Sequence, residues 1–223
     1  MTKLAAGIAK FQREVYPKLK DLFQALAEGQ SPEALFITCS DSRIDPNLVT
    51  QTEPGELFIC RNAGNIVPPH TNHTGAMTAS IEFALGALKV PHVIVCGHSN
   101  CGAMKGALAR HTLGALPHVA EWLTYVRAAV EIVDSQGTNL TEEDRLRRLT
   151  EENVILQLDH LRTHPTVARA LAAGEAELHG WVYDIASGGV TVFDPAQRRF
   201  LPAEEHYRDA AAALAAEASH AHT

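Results

Sequence analysis

The 223-residue chain is short of basic residues, with 19 Lys and Arg against 26 Asp and Glu, a formal charge of −7. A nucleic-acid partner normally requires a basic face, so the balance argues against one. Long hydrophobic runs are missing too. No stretch reaches the roughly 18 apolar residues of a membrane span. Lys3 and Lys10 flank only a short, weakly apolar segment, unlike a signal peptide. Four cysteines are too few for a disulfide scaffold at this length, so free thiols and a reducing, cytoplasmic setting are expected. Repeats and low-complexity linkers are also lacking, which leaves one domain over 1–223. What is present is ordinary: 46% hydrophobic and 20% charged residues, enough for a packed core.

Apolar periodicity organises the chain. Leu4, Ile8, Phe11, Val15, Leu19, Leu22 and Leu26 step by three or four and make one stripe along an N-terminal helical arm, 1–28. Pro17 splits the arm into two helices and sits in the first turn of the second. The stripe must be buried on the chain's own core or on a partner. Leu35–Thr38, Leu57–Cys60 and Val93–Cys96 read as strands, the last a continuous apolar run of the kind found in sheets covered on both faces. Helices are expected over 46–50, 74–89, after Cys101, as one rod over 117–133, over 141–162, and over 165–173, closed by Gly174. A strand over 178–185 turns at Ser187-Gly188-Gly189 into Val190–Phe193, a hairpin. An alanine-rich tail, 203–223, is helical. Strands alternating with helices predict an α/β fold with a mostly parallel central sheet flanked by helices. Sites in such sheets form beyond the carboxyl ends of strands.

Two short stretches lie where such a site belongs: Cys39-Ser40-Asp41-Ser42-Arg43 and His98-Ser99-Asn100-Cys101-Gly102. Cys39 and His98 fall just past strand ends. Cys39, His98 and Cys101 are the donor types zinc prefers, and three protein ligands leave a fourth tetrahedral position open. Each stretch alone is a weak signal, but their joint placement is much stronger. Cys60 and Cys96, inside apolar strands, read as inert core thiols. Two thiolates and one neutral imidazole bring Zn²⁺ to a net charge near zero. Three neutral histidines would leave +2 and lower a bound water's pKa to about 7, so activity at the more neutral site should rise toward alkaline pH. Asp41 has two possible roles. It is a fourth ligand that closes the site, or Arg43 holds it off the metal and it accepts a hydrogen bond from bound hydroxide.

These residues resemble the β-class carbonic anhydrases. The resemblance runs from about residue 8 to residue 200. It takes in Gly29-Gln30-Ser31-Pro32, Cys39–Arg43, Glu53–Phe58, Arg61-Asn62-Ala63-Gly64-Asn65, Ser80–Ala84, Cys96–Met104 and His179–Tyr183. It implies reversible hydration of CO₂ to bicarbonate by attack of zinc-bound hydroxide. One Zn²⁺ per chain is implied on Cys39, His98 and Cys101, with Asp41 and Arg43 as the catalytic pair. Gln30 and the Gly102 N–H would donate to substrate, and Phe58, Ala63 and Phe83 would wall the pocket. It further implies a homodimer, or a dimer of dimers, whose site lies at the interface and takes Gln30 and the Phe83 region from the partner. Within the family the chain is similar to the bacterial enzyme associated with cyanase, and more distantly to plant and carboxysomal forms. Phe36 and Thr38 stand where bicarbonate-regulated members have Trp and Gly, which points to a non-regulated subtype.

Two alternatives stay open. The same site would suit hydrolysis of carbonyl sulfide or carbon disulfide, and a permanently ligating Asp41 would make a non-catalytic zinc protein. Zinc-dependent deamination is disfavoured, since neither His-x-Glu nor Pro-Cys-x-x-Cys occurs. His70 and His73, in a loop, are candidates for proton transfer. His206, His220 and His222 read as tail residues.

Overall fold

The computed structural model describes residues 1–135, 140–208 and 212. Six strands form one sheet: β1 Ala34–Cys39, β2 Leu57–Asn62, β3 His92–His98, β4 Glu177–Tyr183, β5 Val190–Asp194 and β6 Arg199–Pro202. Their order is β2-β1-β3-β4-β5-β6. The first four are parallel, and β5 and β6 return antiparallel. The helices are α1 Thr2–Lys10, α2 Lys20–Glu28, α3 Pro46–Thr50, α4 Ala76–Glu82, α5 Gly102–Leu108, α6 Pro117–Trp122, α7 Arg127–Ser135, α8 Glu142–Arg162, α9 Pro165–Ala172 and α10 Ala203–His206. The α/β architecture with a mostly parallel sheet is as the alternation of strands and helices predicts.

The strand pleat divides the core. Leu35, Ile37, Val93 and Val95 face α4 with its continuation Phe83–Ala87, α8 and α9 through Ile81, Leu85, Val154, Leu158, Leu161 and Val167. Phe36, Ile94 and Cys96 face the other side, where Ile44 and Trp181 pack. Helix α8 lies close on the sheet because Gly97 and Gly180 offer no side chain. A Cβ on Gly180 would meet Val154 Cγ1 at 2.9 Å and Leu158 Cδ1 at 3.0 Å. Thr141 caps α8 by accepting from the Asp144 N–H, as its acidic first turn implies.

Three local expectations differ from the structure, one strand was not expected, and most of the tail lies outside the described residues. Strand β1 runs one residue and β3 two residues beyond the apolar runs that mark them in the sequence, so Cys39 and His98 are the final residues of β1 and β3 rather than the first beyond them. The ladder continues under polar side chains, which apolar patterning does not register. The rod over 117–133 is interrupted by a 3₁₀ turn at Leu123–Val126. Leu123 and Val126 are both buried, and the i, i+3 eclipse of a 3₁₀ turn puts both on the core side. Pro17 occupies a short 3₁₀ turn, and α2 begins only at Lys20. Strand β6 carries only Phe200 and Leu201 as apolar residues before Pro202, too few for a period. Of the tail, α10 spans Ala203–His206, and most of the rest, including His220 and His222, lies outside the described residues.

The N-terminal arm does not bury its stripe on its own core. Neither α1 nor α2 has a buried residue. Leu4 and Ile8 are 65% and 63% exposed, and Phe11 and Val15 are also exposed.

Candidate metal centre and the loops around it

The carboxyl ends of β1 and β3 bring the two sequence stretches together. The donor atoms of Cys39, His98 and Cys101 all lie within 4.8 Å of one another, and all three residues are buried. The two Sγ atoms are 3.9 Å apart. Zn–S bonds of about 2.3 Å set a tetrahedral S···S edge near 3.8 Å, so the pair already has the spacing one ion requires. His98 Nδ1 lies 2.9 Å from the Ser99 carbonyl, which only accepts, so Nδ1 carries the proton and Nε2 keeps its lone pair. Nε2 is buried with no hydrogen-bond partner. A buried polar atom without a partner costs about 1–3 kcal/mol, and a cation among these donors removes that cost. The residues present therefore fit a zinc ion.

The thiols share their protons unequally. Cys39 is drawn well below the usual thiol range, chiefly because Cys101 S–H donates to its thiolate, with the Gly64 N–H adding to this against the opposing cost of burial. Cys101 is pushed up in turn by the Cys39 thiolate beside it and by burial. The N–H groups of Met104 and Ala103, in the first turn of α5, act the other way on Cys101. Burial alone pushes Cys60 up, and Cys96 up to about 12. Those two remain ordinary core thiols.

Asp41 stands beside the group, its Oδ2 3.8 Å from His98 Nε2. Arg43 grips both its oxygens, Nε to Oδ1 at 2.9 Å and Nη2 to Oδ2 at 2.8 Å, and the Arg43 backbone N–H adds a third bond at 3.0 Å. That grip holds the Asp41 carboxyl well below the usual carboxylate range. Arg43 Nη2 also donates to the Asn100 carbonyl at 3.1 Å, tying one stretch to the other. Asn100 adopts φ +57°, a conformation Asn tolerates, and this turns the chain so that Cys101 comes back toward Cys39.

Part of what shapes the site was not read from the sequence as such. Arg61 donates to the carbonyls of Cys39, Asp41 and Ile44 at 3.0, 2.7 and 2.8 Å and so fixes the loop bearing Asp41. Asn153 Nδ2 donates to Gly64 O, and Gln157 Oε1 accepts from Val67 N–H, so α8 holds the loop whose Gly64 N–H meets Cys39. Trp122 Nε1 donates to Ala63 O. The available signal was two polar residues, Asn153 and Gln157, four apart on the buried face of an otherwise amphipathic helix.

Gly102 opens α5 directly after Cys101, and Ala63 follows β2, so both sit near the group. Gln30, Phe58 and Phe83 do not. Gln30 lies before β1 on an exposed groove of about 550 Å³ shared with Leu22, Leu26 and Pro54, and β1 itself spans about 17 Å from Ala34 to Cys39. Phe58, level with Leu35 on the neighbouring strand, packs on Phe83 with ring centroids 6.0 Å apart, and Phe83 is 49% exposed. One copy of the chain leaves these three at the far end of the sheet. His70 packs its ring on His164, 5.6 Å between centroids.

A protein-family profile described as carbonic anhydrase matches residues 34–190, well over half of the chain. A carbonic anhydrase of Pseudomonas aeruginosa is 50% identical over 206 residues, covering 92% of this chain and 93% of that protein. The solved β-carbonic anhydrase CcaA superposes with a TM-score of 0.88 at 43% identity, over 91% of this chain and 98% of that one. A structure described as one of two tetrameric β-carbonic anhydrases from Sordaria macrospora gives 0.69 at 33% identity, over 86% and 92%. None of these names points to a hydrolase of carbonyl sulfide or carbon disulfide, or to a non-catalytic zinc protein. The donor group at the strand ends, the sheet order and these likenesses agree: the chain belongs to the β-class carbonic anhydrases and is an enzyme of that family.

Proposed function

We propose that the chain catalyses the reversible hydration of CO₂ to bicarbonate and a proton, using one zinc ion held by Cys39, His98 and Cys101. The observation that carries this reading is a three-donor group with a carboxylate beside it whose two oxygens are both occupied by Arg43. Zinc, when bound, supplies a Lewis acid that makes water a usable nucleophile. The remaining work falls to side chains and backbone. Asp41, held in place by Arg43, accepts a hydrogen bond from the attacking water and points its lone pair at carbon. The Gly102 N–H and the Gln30 amide donate to bicarbonate oxygens. Phe58, Ala63 and Phe83 form an apolar wall suited to CO₂, which has no net dipole.

In this reading the working unit is at least a dimer, with Gln30, Phe58 and Phe83 approaching the metal group from a second copy. The distance between those residues and Cys39 within one chain supports it, and so does the exposed stripe of α1 and α2. Fully burying an apolar side chain of that size stabilises by about 1.5–3 kcal/mol, so Leu4, Ile8, Phe11 and Val15 together favour a partner. The Sordaria macrospora relatives are described as tetrameric. A non-regulated subtype is supported by Phe36, packed against Trp181, and by Thr38, whose hydroxyl donates to the Cys96 carbonyl. A site built on two reduced thiols suits the cytoplasm.

Co-assembly of two inactive variants tests the shared site. Gln30→Ala and Cys101→Ser are each expected to be nearly inactive alone. After subunit exchange, mixed dimers hold one intact site of two, so random pairing restores about a quarter of the wild-type CO₂ hydration. A mixture no more active than its components would mean that Gln30 does not serve the partner.

A further inference from the structure

A second group of metal-ligand type lies at the opposite end of the sheet. His92 opens β3, Glu177 opens β4 as its register partner, and His179 follows two residues on, on the same face. Their ligand atoms lie within 4.8 Å of one another. The six steps of β3 from His92 to His98 span about 20 Å, so this group is separate from the Cys39 group. His92 Nδ1 and His179 Nε2 are 3.1 Å apart, with ring centroids 5.2 Å apart. His179 Nε2 lies 3.9 Å from Glu177 Oε2.

We propose that His92, Glu177 and His179 form a second divalent-metal site, of the borderline class that includes Zn²⁺, Ni²⁺ and Co²⁺. Metal–nitrogen bonds of about 2.0–2.1 Å set a tetrahedral N···N edge near 3.3 Å, which the 3.1 Å separation nearly matches. Glu177, exposed on a flexible side chain, closes the remaining gap by rotation. Two imidazoles and one carboxylate select this class over magnesium or calcium, which take mainly oxygen donors. Burial, with His92 and His206 beside it, holds His179 below the usual imidazole range, so the ring stays neutral and able to ligate. Binding needs only the tautomers with His92 protonated on Nε2 and His179 on Nδ1. These point two lone pairs at one another, an arrangement a cation stabilises. Helix α10 is anchored over this face by the bond from Trp181 Nε1 to the Tyr207 hydroxyl at 3.0 Å. That brings His206 close enough to be felt by His179, and water completes the coordination.

The test is equilibrium dialysis of tag-free, full-length protein against zinc chloride, with metal counted per chain. Wild type should take up a second, weaker equivalent beyond the tightly held one. His92→Ala and His179→Ala should each abolish the second and keep the first, which reports an intact fold. Glu177→Gln, at an exposed position, should weaken the second severalfold. The exposed-site control His118→Ala and the double variant His220→Ala/His222→Ala should retain both. Absence of a second equivalent in wild type would overturn the assignment. So would a second equivalent that survives either His92→Ala or His179→Ala, or one that disappears with the His220/His222 pair.

Discussion

Cys101→Ser is expected to lower CO₂ hydration by about three orders of magnitude, a loss of ~4 kcal/mol in transition-state stabilisation, and to abolish tight zinc binding. The substitution removes one of three donors. A serine hydroxyl does not ionise near neutral pH, so it cannot replace the thiolate that Cys101 would present to a metal. The side chain shrinks only slightly, and far-UV circular dichroism should be unchanged. Cys96→Ser is the matched control. Cys96 is equally buried but sits mid-strand, its Sγ 3.4 Å from the Gly97 carbonyl, a contact a hydroxyl can keep. It should retain metal and rate. Zinc counting together with stopped-flow CO₂ hydration decides the matter. Full zinc and full rate in Cys101→Ser would refute the assignment of Cys101 as a ligand.

For Arg43→Gln an effect of a different kind is expected: zinc should stay bound and the rate should fall about a hundredfold, ~2.7 kcal/mol. Arg43 occupies both Asp41 oxygens, and Asp41 Oδ2 is already within 3.8 Å of His98 Nε2. Without the guanidinium the carboxylate is free to turn onto the metal and take the position water needs. A bland account predicts otherwise. Arg43 is 43% exposed, and an exposed ion pair contributes only about 0–1 kcal/mol, so as mere surface decoration its loss would change the rate a few-fold at most. A rate within threefold of wild type, with zinc bound, would favour that account. The contrast between the variants separates holding the metal from keeping the site open.

The pH dependence follows from the same pair. Asp41 has a folded pKa below its unfolded value near 3.9. Its pairing with Arg43 is therefore complete above that value and is lost only as pH falls through the lower, folded one. Between pH 7 and 9 Asp41 does not change charge. A rise in rate across that range belongs to the two-thiolate donor set, whose charge leaves the metal a weaker acid than three imidazoles would.

Much of the site was legible because it is local. Cys39-x-Asp-x-Arg and His98-x-x-Cys101 each follow an apolar run, and parallel pairing of β1 with β3 brings their ends together. What escaped is non-local. Arg61 and Asn153 act on backbone carbonyls of residues 17 to 89 positions away, and no spacing in the sequence records that. The break at Leu123–Val126 depends on which residues meet α5 and α8, which helical periodicity alone cannot express. The arm is the reverse case. Its stripe was plain in the sequence, but within one chain the described residues do not bury it.

The decisive experiment is stopped-flow CO₂ hydration on purified, zinc-quantified protein at pH 7.0 and pH 8.8. One tightly held zinc per chain is expected, with a fast rate that is clearly higher at pH 8.8. No rate above buffer at either pH, with zinc bound, would contradict that expectation and would point to Asp41 as a permanent fourth ligand.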